Sequence, residues 1–172
     1  MNAKTFLFSD SDPHTLEWTQ ALGGFFRNFG MLELLTIEFT ARMADPHKAR
    51  SLKKKFLNQR LNWIVDNLHE LASAETEEVE ALIAALEEVR ELAPFRNVLA
   101  HGALGLSLPE KGGPAAIAGI LNFKPEDGDK EEESIPLEAV REKAAECAAL
   151  AKILDASLNS MSFEKQEPPP EY

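Results

Sequence analysis

Along the first third of the chain, Trp18, Leu22, Phe25, Phe29, Leu32, Thr36, Phe39 and Met43 recur at alternating spacings of four and three residues. That rhythm places them on one stripe of a helix. Gly23, Gly24 and Gly30 fall inside it, and each costs about 1 kcal/mol against alanine in a helix interior. They either permit close approach of a neighbouring helix or mark a break near Gly23-Gly24; one long helix with room for a kink is the expectation. Asp45-Pro46 ends it and starts the next, with Asp45 as N-cap and Pro46 at the first helical position. In this second helix Leu57, Leu61, Ile64, Val65 and Leu68 form the apolar stripe, with Trp63 at its margin. A third helix opens in the acidic turn Glu75 to Glu80, which suits the positive end of the helix dipole. Val79, Leu82, Ile83, Leu86 and Val89 are its expected buried face. Pro94 is expected to kink or interrupt it, and Gly102 to cap it.

The pattern then changes. Ala103 to Leu108 and Ala115 to Phe123 are short apolar runs joined by Pro109-Glu110-Lys111-Gly112-Gly113-Pro114, which reads as a β-hairpin or an irregular loop pair. Asp127 to Glu133 is a charged connection, and Ser134 is the expected cap of a last helix with Pro136 in its first turn. Leu137, Val140, Ala144, Cys147, Ala151, Leu154 and Leu158 supply that helix's seam. Residues 1–13 read as a flexible lead-in and 162–172 as a polar, Pro-rich, disordered tail. There is no internal repeat. The predicted fold is therefore all-α: an up-down bundle of four to five helices over 14–161, with a short β-hairpin or loop insertion before the last helix.

Composition narrows the class of function. A chain of 172 residues with 44% hydrophobic and 27% charged residues fits one domain of ordinary core size. The single cysteine, Cys147, excludes an internal disulfide framework and is expected in the core. No apolar stretch approaches the roughly 18 residues of a span and no secretory segment is visible, so a cytoplasmic protein with no membrane partner is expected. The net charge of −11 disfavours nucleic-acid binding by bulk electrostatics. Yet no acidic residue lies between Pro46 and Val65, where Lys48, Arg50, Lys53, Lys54, Lys55 and Arg60 all fall. This run is either a solvated helix face or an RNA-contacting patch; in the second case Lys53, Lys54 and Arg60 are the candidate substrate-binding residues. The C-terminal Pro169-Pro170-Glu171-Tyr172 spells a PPxY ligand for WW domains, or else a solubilising tail.

Most catalytic templates are missing. The chain has no Gly-rich phosphate loop, no nucleophile elbow, and no His or Cys pair at metal-ligand spacing, so neither metal nor cofactor is expected. His14, His47 and His69 stand alone and read as surface residues. The segment Arg96-Asn97-Val98-Leu99-Ala100-His101-Gly102 differs, because it sets strong polar groups around an apolar triplet at a helix end. At 100° per residue Arg96 and His101 lie about 140° apart, whereas Asn97 and His101, at i and i+4, share a face. If Arg96 and His101 act together, a kink at Pro94, a frayed end near Gly102 or a second subunit must bring them together.

Here the chain resembles the HEPN family, whose signature is an Arg, a polar residue, and a His four to six positions after the Arg, late in a helical bundle. Residues 96–102 carry the Arg-Asn-x-x-x-His-Gly version frequent in bacterial members. In outline the resemblance extends over most of the chain, from a first helix with a Gly30-x-x-Glu33 step to a last helix after an insertion; only the motif is specific. Many HEPN proteins are metal-independent endoribonucleases, often toxins or antiviral effectors, which dimerise to bring two motifs into one cleft. The resemblance thus implies a homodimer acting on RNA, of toxin-antitoxin or phage-defence type, and allows a nucleotidyltransferase-like antitoxin as partner. It implies His101 as acid or base, Arg96 as phosphate stabiliser, and Asn97 as the residue that orients the pair or contacts substrate. Histidine, with an unperturbed pKa near 6.5, suits either proton role, and the guanidinium fork suits phosphate.

Two other readings compete. One is a non-catalytic HEPN-like module that binds a nucleotide or a partner protein. The other is a structural bundle in which Arg96 and His101 cap and staple the third helix, pairing with carboxylates such as Glu33.

Overall fold

A computed structural model of the chain describes residues 5–6, 13–101, 104–107, 116–120 and 132–164, with side chains described for 15–100 and 135–164. The chain is all-α, as predicted, with five helices among the described residues and a β-hairpin before the last. They are α1 (Pro13–Met43), α2 (Pro46–Lys53), α3 (Leu57–Leu71), α4 (Thr76–His101) and α5 (Leu137–Ser160). No described helix is long and apolar enough to cross a membrane.

The chain divides into two compact units. Unit 1 comprises Met1–Arg27 with Leu92–Glu146, and unit 2 comprises Asn28–Glu91 with Cys147–Tyr172. In unit 1 the described strands form an antiparallel sheet in the order β1-β3-β4-β5: β1 (Thr5–Phe6), β3 (Leu104–Ser107), β4 (Ala116–Ile120) and β5 (Glu132–Pro136). Leu104 pairs with Gly119 and Ser107 with Ala116, so β3 and β4 are the expected hairpin. The two outer strands depart from expectation. Thr5–Phe6, inside the predicted lead-in, pairs with Leu106 and Ser107. Ser134, the predicted cap of the last helix, lies in β5 opposite Ala118, and α5 begins only after Pro136. An exposed ladder edge recruits polar segments through backbone bonds alone, which hydrophobic periodicity does not register.

Unit 2 is a helical bundle. Phe29, Leu32, Thr36, Phe39 and Met43 of α1 are buried there, with Leu61, Ile64 and Leu68 of α3, Val79, Leu82, Leu86 and Val89 of α4, and Cys147, Leu150, Leu154 and Leu158 of α5. A short ladder pairs β2 (Ala72–Ser73) with β6 (Ser162–Phe163). The Glu164 N–H donates to the Leu71 carbonyl at 2.8 Å, and Phe163 packs edge-on against Phe39 with ring centroids 5.9 Å apart. The start of the predicted disordered tail is therefore part of the fold; residues 165–172, with the PPxY sequence, lie outside the described residues.

Gly23, Gly24 and Gly30 do not break α1, and a Cβ added at any of them meets nothing within 4 Å. The predicted second helix is in fact two. Asp45 caps α2, its carboxylate accepting from the His47 N–H at 2.8 Å and the Lys48 N–H at 3.1 Å. The Lys48 amide, followed by the His47 amide, holds the Asp45 carboxyl below the ordinary carboxylate value against the opposing effect of desolvation. Between α2 and α3 the chain turns at Lys54, Lys55 and Phe56 without glycine or proline. The Lys55 carbonyl accepts from the Arg60 Nη1 at 2.6 Å, so a side chain takes the place of an intrahelical donor there.

Candidate functional site

Helix α4 carries the Arg-Asn-x-x-x-His-Gly motif. Pro94 lies inside the helix, where it supplies no N–H to the carbonyl one turn back, yet the backbone stays helical to His101. Leu92, Ala93 and Leu99 are buried, and Phe95 packs edge-on against Phe25 of α1, centroids 5.3 Å apart at 79°. Phe95 and Leu99 lie one turn apart on this part of α4; Asn97 stands about 160° around the axis from both, whereas Arg96 stands about 60° from Leu99. Arg96 is half-buried and Asn97 exposed. The Arg96 Nη1 donates to the Asn97 Oδ1 at 3.2 Å. Among the described residues no carboxylate lies within ion-pairing distance of Arg96. Glu33, the carboxylate expected to pair with it in a purely structural role, belongs to unit 2, where its charge acts on Arg60. His101 is the last helical residue; its side chain and Gly102 lie outside the described residues.

The basic run separates into two kinds of residue. Lys53 and Lys54 are exposed, as are Lys48, Arg50 and Lys55. Arg60, predicted to join Lys53 and Lys54 on substrate, is 6% exposed. Its Nε donates to the Thr36 Oγ1 at 3.1 Å and its Nη1 to the Lys55 carbonyl. Burial lowers the Arg60 pKa, and the Glu33 charge partly restores it. Arg60 is a brace between α1 and the α2–α3 turn, and the exposed cations of this run are the lysines and Arg50. His47, Arg50, Ser51, Lys54 and Lys55 line an open concavity of about 500 Å³. Sequence reasoning read His47 as a plain surface residue and passed over Ser51, although His47, Arg50 and Ser51 at i, i+3 and i+4 share a helix face.

His69 is a surface residue as expected, its Nε2 3.3 Å from the Glu80 Oε1, and Cys147 is buried. Among the described residues no group of three or more His, Cys, Asp or Glu side chains could hold a metal ion. No family model matches the chain, and no curated protein or solved structure matches it.

Proposed function

We propose that this protein is a HEPN-like, metal-independent endoribonuclease that acts as a homodimer, with Arg96, Asn97 and His101 as its catalytic residues. The observation that carries the reading is an Arg96 guanidinium turned toward Asn97, unclaimed by any described carboxylate, five residues before His101 on one continuous helix. A guanidinium so held is available to a phosphate. In the proposed reaction one His101 takes the 2′-hydroxyl proton, and the 2′-oxygen attacks the adjacent phosphorus. The 5′-oxygen leaves with a proton from the second copy's His101, and Arg96 steadies the phosphorane. The products are a 2′,3′-cyclic phosphate and a 5′-hydroxyl. Asn97 holds the Arg96 fork in register, and Lys53 and Lys54 contribute substrate contact. In a cytoplasmic toxin or phage-defence setting, such an activity calls for a silencing partner, for which a nucleotidyltransferase-like antitoxin is the proposal.

The test is cleavage of RNA by the purified protein in chelator beside a folded His101→Ala variant. Cyclic-phosphate ends that fall by about 100-fold or more in the variant are expected; equal cleavage by both, or none by either, refutes the reading. Subunit mixing tests the dimer. If both His101 side chains serve one cleft, an equal exchange of wild-type and His101→Ala chains leaves about one quarter of the undiluted activity, against about one half for independent sites.

A further inference from the structure

The α2–α3 corner of unit 2 presents charge and an aromatic side chain together. Leu52 is the buried residue of α2, and its exposed side is polar and basic, with His47, Lys48, Arg50, Ser51 and Lys53. Of the chain's 18 Lys and Arg and 29 Asp and Glu, residues 46–65 hold six of the former and none of the latter. In so acidic a protein cations are expected to find carboxylates. Yet no ion pair is formed by Lys48, Arg50, Lys53, Lys54 or Lys55 among the described residues. Directly after these lysines Phe56 is 83% exposed, the most exposed large apolar side chain described. It stands at the α3 N-cap position with no side-chain cap bond, where Asn, Asp, Ser or Thr would be favoured. The turn that presents it is fixed from within: Arg60 holds the Lys55 carbonyl, and the Phe56 carbonyl accepts from the Gln59 N–H at 3.0 Å and the Arg60 N–H at 3.2 Å.

We propose that this corner is a binding site for single-stranded nucleic acid, with backbone phosphates in the concavity of His47, Arg50, Ser51, Lys54 and Lys55 and a base stacked on Phe56. Positive recesses that follow the backbone, joined to aromatic faces that stack bases, are how single strands are held without sequence readout. A lipid surface fits less well. Its docking helix needs a broad apolar face, whereas α2 turns a polar, concave face outward and Phe56 alone projects beside it. Duplex fits less well too, because its bases are not free to stack. The site deepens the substrate contact proposed for Lys53 and Lys54, but it uses no residue of 96–102, so binding is tested apart from cleavage and stands if His101 proves inert.

The experiment is fluorescence anisotropy of a labelled oligouridylate with the full-length His101→Ala protein, which separates binding from cleavage. Phe56→Ala and the pair Lys54→Glu/Lys55→Glu are introduced on that background; all three side chains are exposed, so the fold is retained. Phe56→Ala is expected to weaken binding about 5- to 100-fold. The charge reversals are expected to weaken it further and to lower the slope of log affinity against log salt by about 0.7 for each phosphate that is no longer neutralised. Unchanged affinity in Phe56→Ala overturns the proposal, as does equal affinity for duplex RNA. Binding to phosphatidylserine vesicles in place of the oligonucleotide overturns it in favour of a membrane surface.

Discussion

The Arg60 brace makes the sharpest stability prediction. Its guanidinium is nearly sealed from solvent and donates to the Thr36 hydroxyl and the Lys55 carbonyl. Hydrogen bonds from a charged donor contribute about 1.5–3 kcal/mol each. Against that stands the desolvation of the cation, seen in the lowered Arg60 pKa. Removing the side chain strands little. The Thr36 hydroxyl still donates to the Glu33 carbonyl at 2.8 Å, and the Lys55 carbonyl belongs to an exposed residue that water can reach. The net cost of Arg60→Met, which keeps the aliphatic volume, is therefore about 2–3 kcal/mol rather than the 3–5 of a buried charge pair broken on one side. Urea unfolding should show a lower midpoint at unchanged slope, with a thermal midpoint lower by about 4–12 °C. Thr36→Val alone should cost about 1 kcal/mol, and the double variant should fall short of the sum by about 0.5–1.5 kcal/mol, because both remove one bond. An Arg60→Met protein within about 0.5 kcal/mol of wild type, or additive single effects, refutes the brace.

Asp45 gives a pH prediction. Its carboxyl is held down by the Lys48 and His47 amides, so its stabilising effect is present above the unfolded carboxylate pKa and is lost as pH falls through the lower folded value. The amides of His47 and Lys48 should lose exchange protection below about pH 4, and Asp45→Asn, which keeps the cap, should remove that dependence; protection in wild type that stays unchanged down to about pH 2 would sink the idea. Gly30→Ala should stabilise by about 0.5–1 kcal/mol, since helix α1 gains propensity and the new methyl meets open space. A loss of stability instead would mean that another molecule covers that face. Phe163→Ala should cost about 1–2 kcal/mol through its half-buried ring and its edge contact with Phe39, where a disordered tail would give no change on thermal melting.

The long periodic segments were legible because burial follows helical geometry. Of the α1 stripe, Trp18, Phe25, Phe29, Leu32, Thr36, Phe39 and Met43 are buried, and Leu22 lies at its margin. The features missed share a physical cause. β1, β5 and β6 exist through backbone pairing, as with Glu132 and Glu133 opposite Ile120 and Gly119, and carry no side-chain period of their own. The α2–α3 break depends on Arg60 reaching a carbonyl five residues back, a tertiary choice. That same choice hides Arg60 and exposes Phe56, which residue type alone does not foretell. Arg96 and Asn97 were legible as a pair; the bond between them needed coordinates.

The geometry of α4 constrains any chemistry that joins Arg96 to His101. A bend at Pro94 was one way to bring them together, but Pro94 precedes both residues, and the backbone from Arg96 to His101 is helical throughout. A bend there carries the two as one body and leaves their separation of about 140° around the axis unchanged. Phe95 packs on Phe25 in unit 1, and Leu99 one turn later is buried. While α4 keeps its last turn, positions 96 and 101 therefore lie on different sides of the helix. In the proposed dimer the second copy is the source of the other group. Dimerisation is thus part of the proposal, and the subunit-mixing experiment tests it.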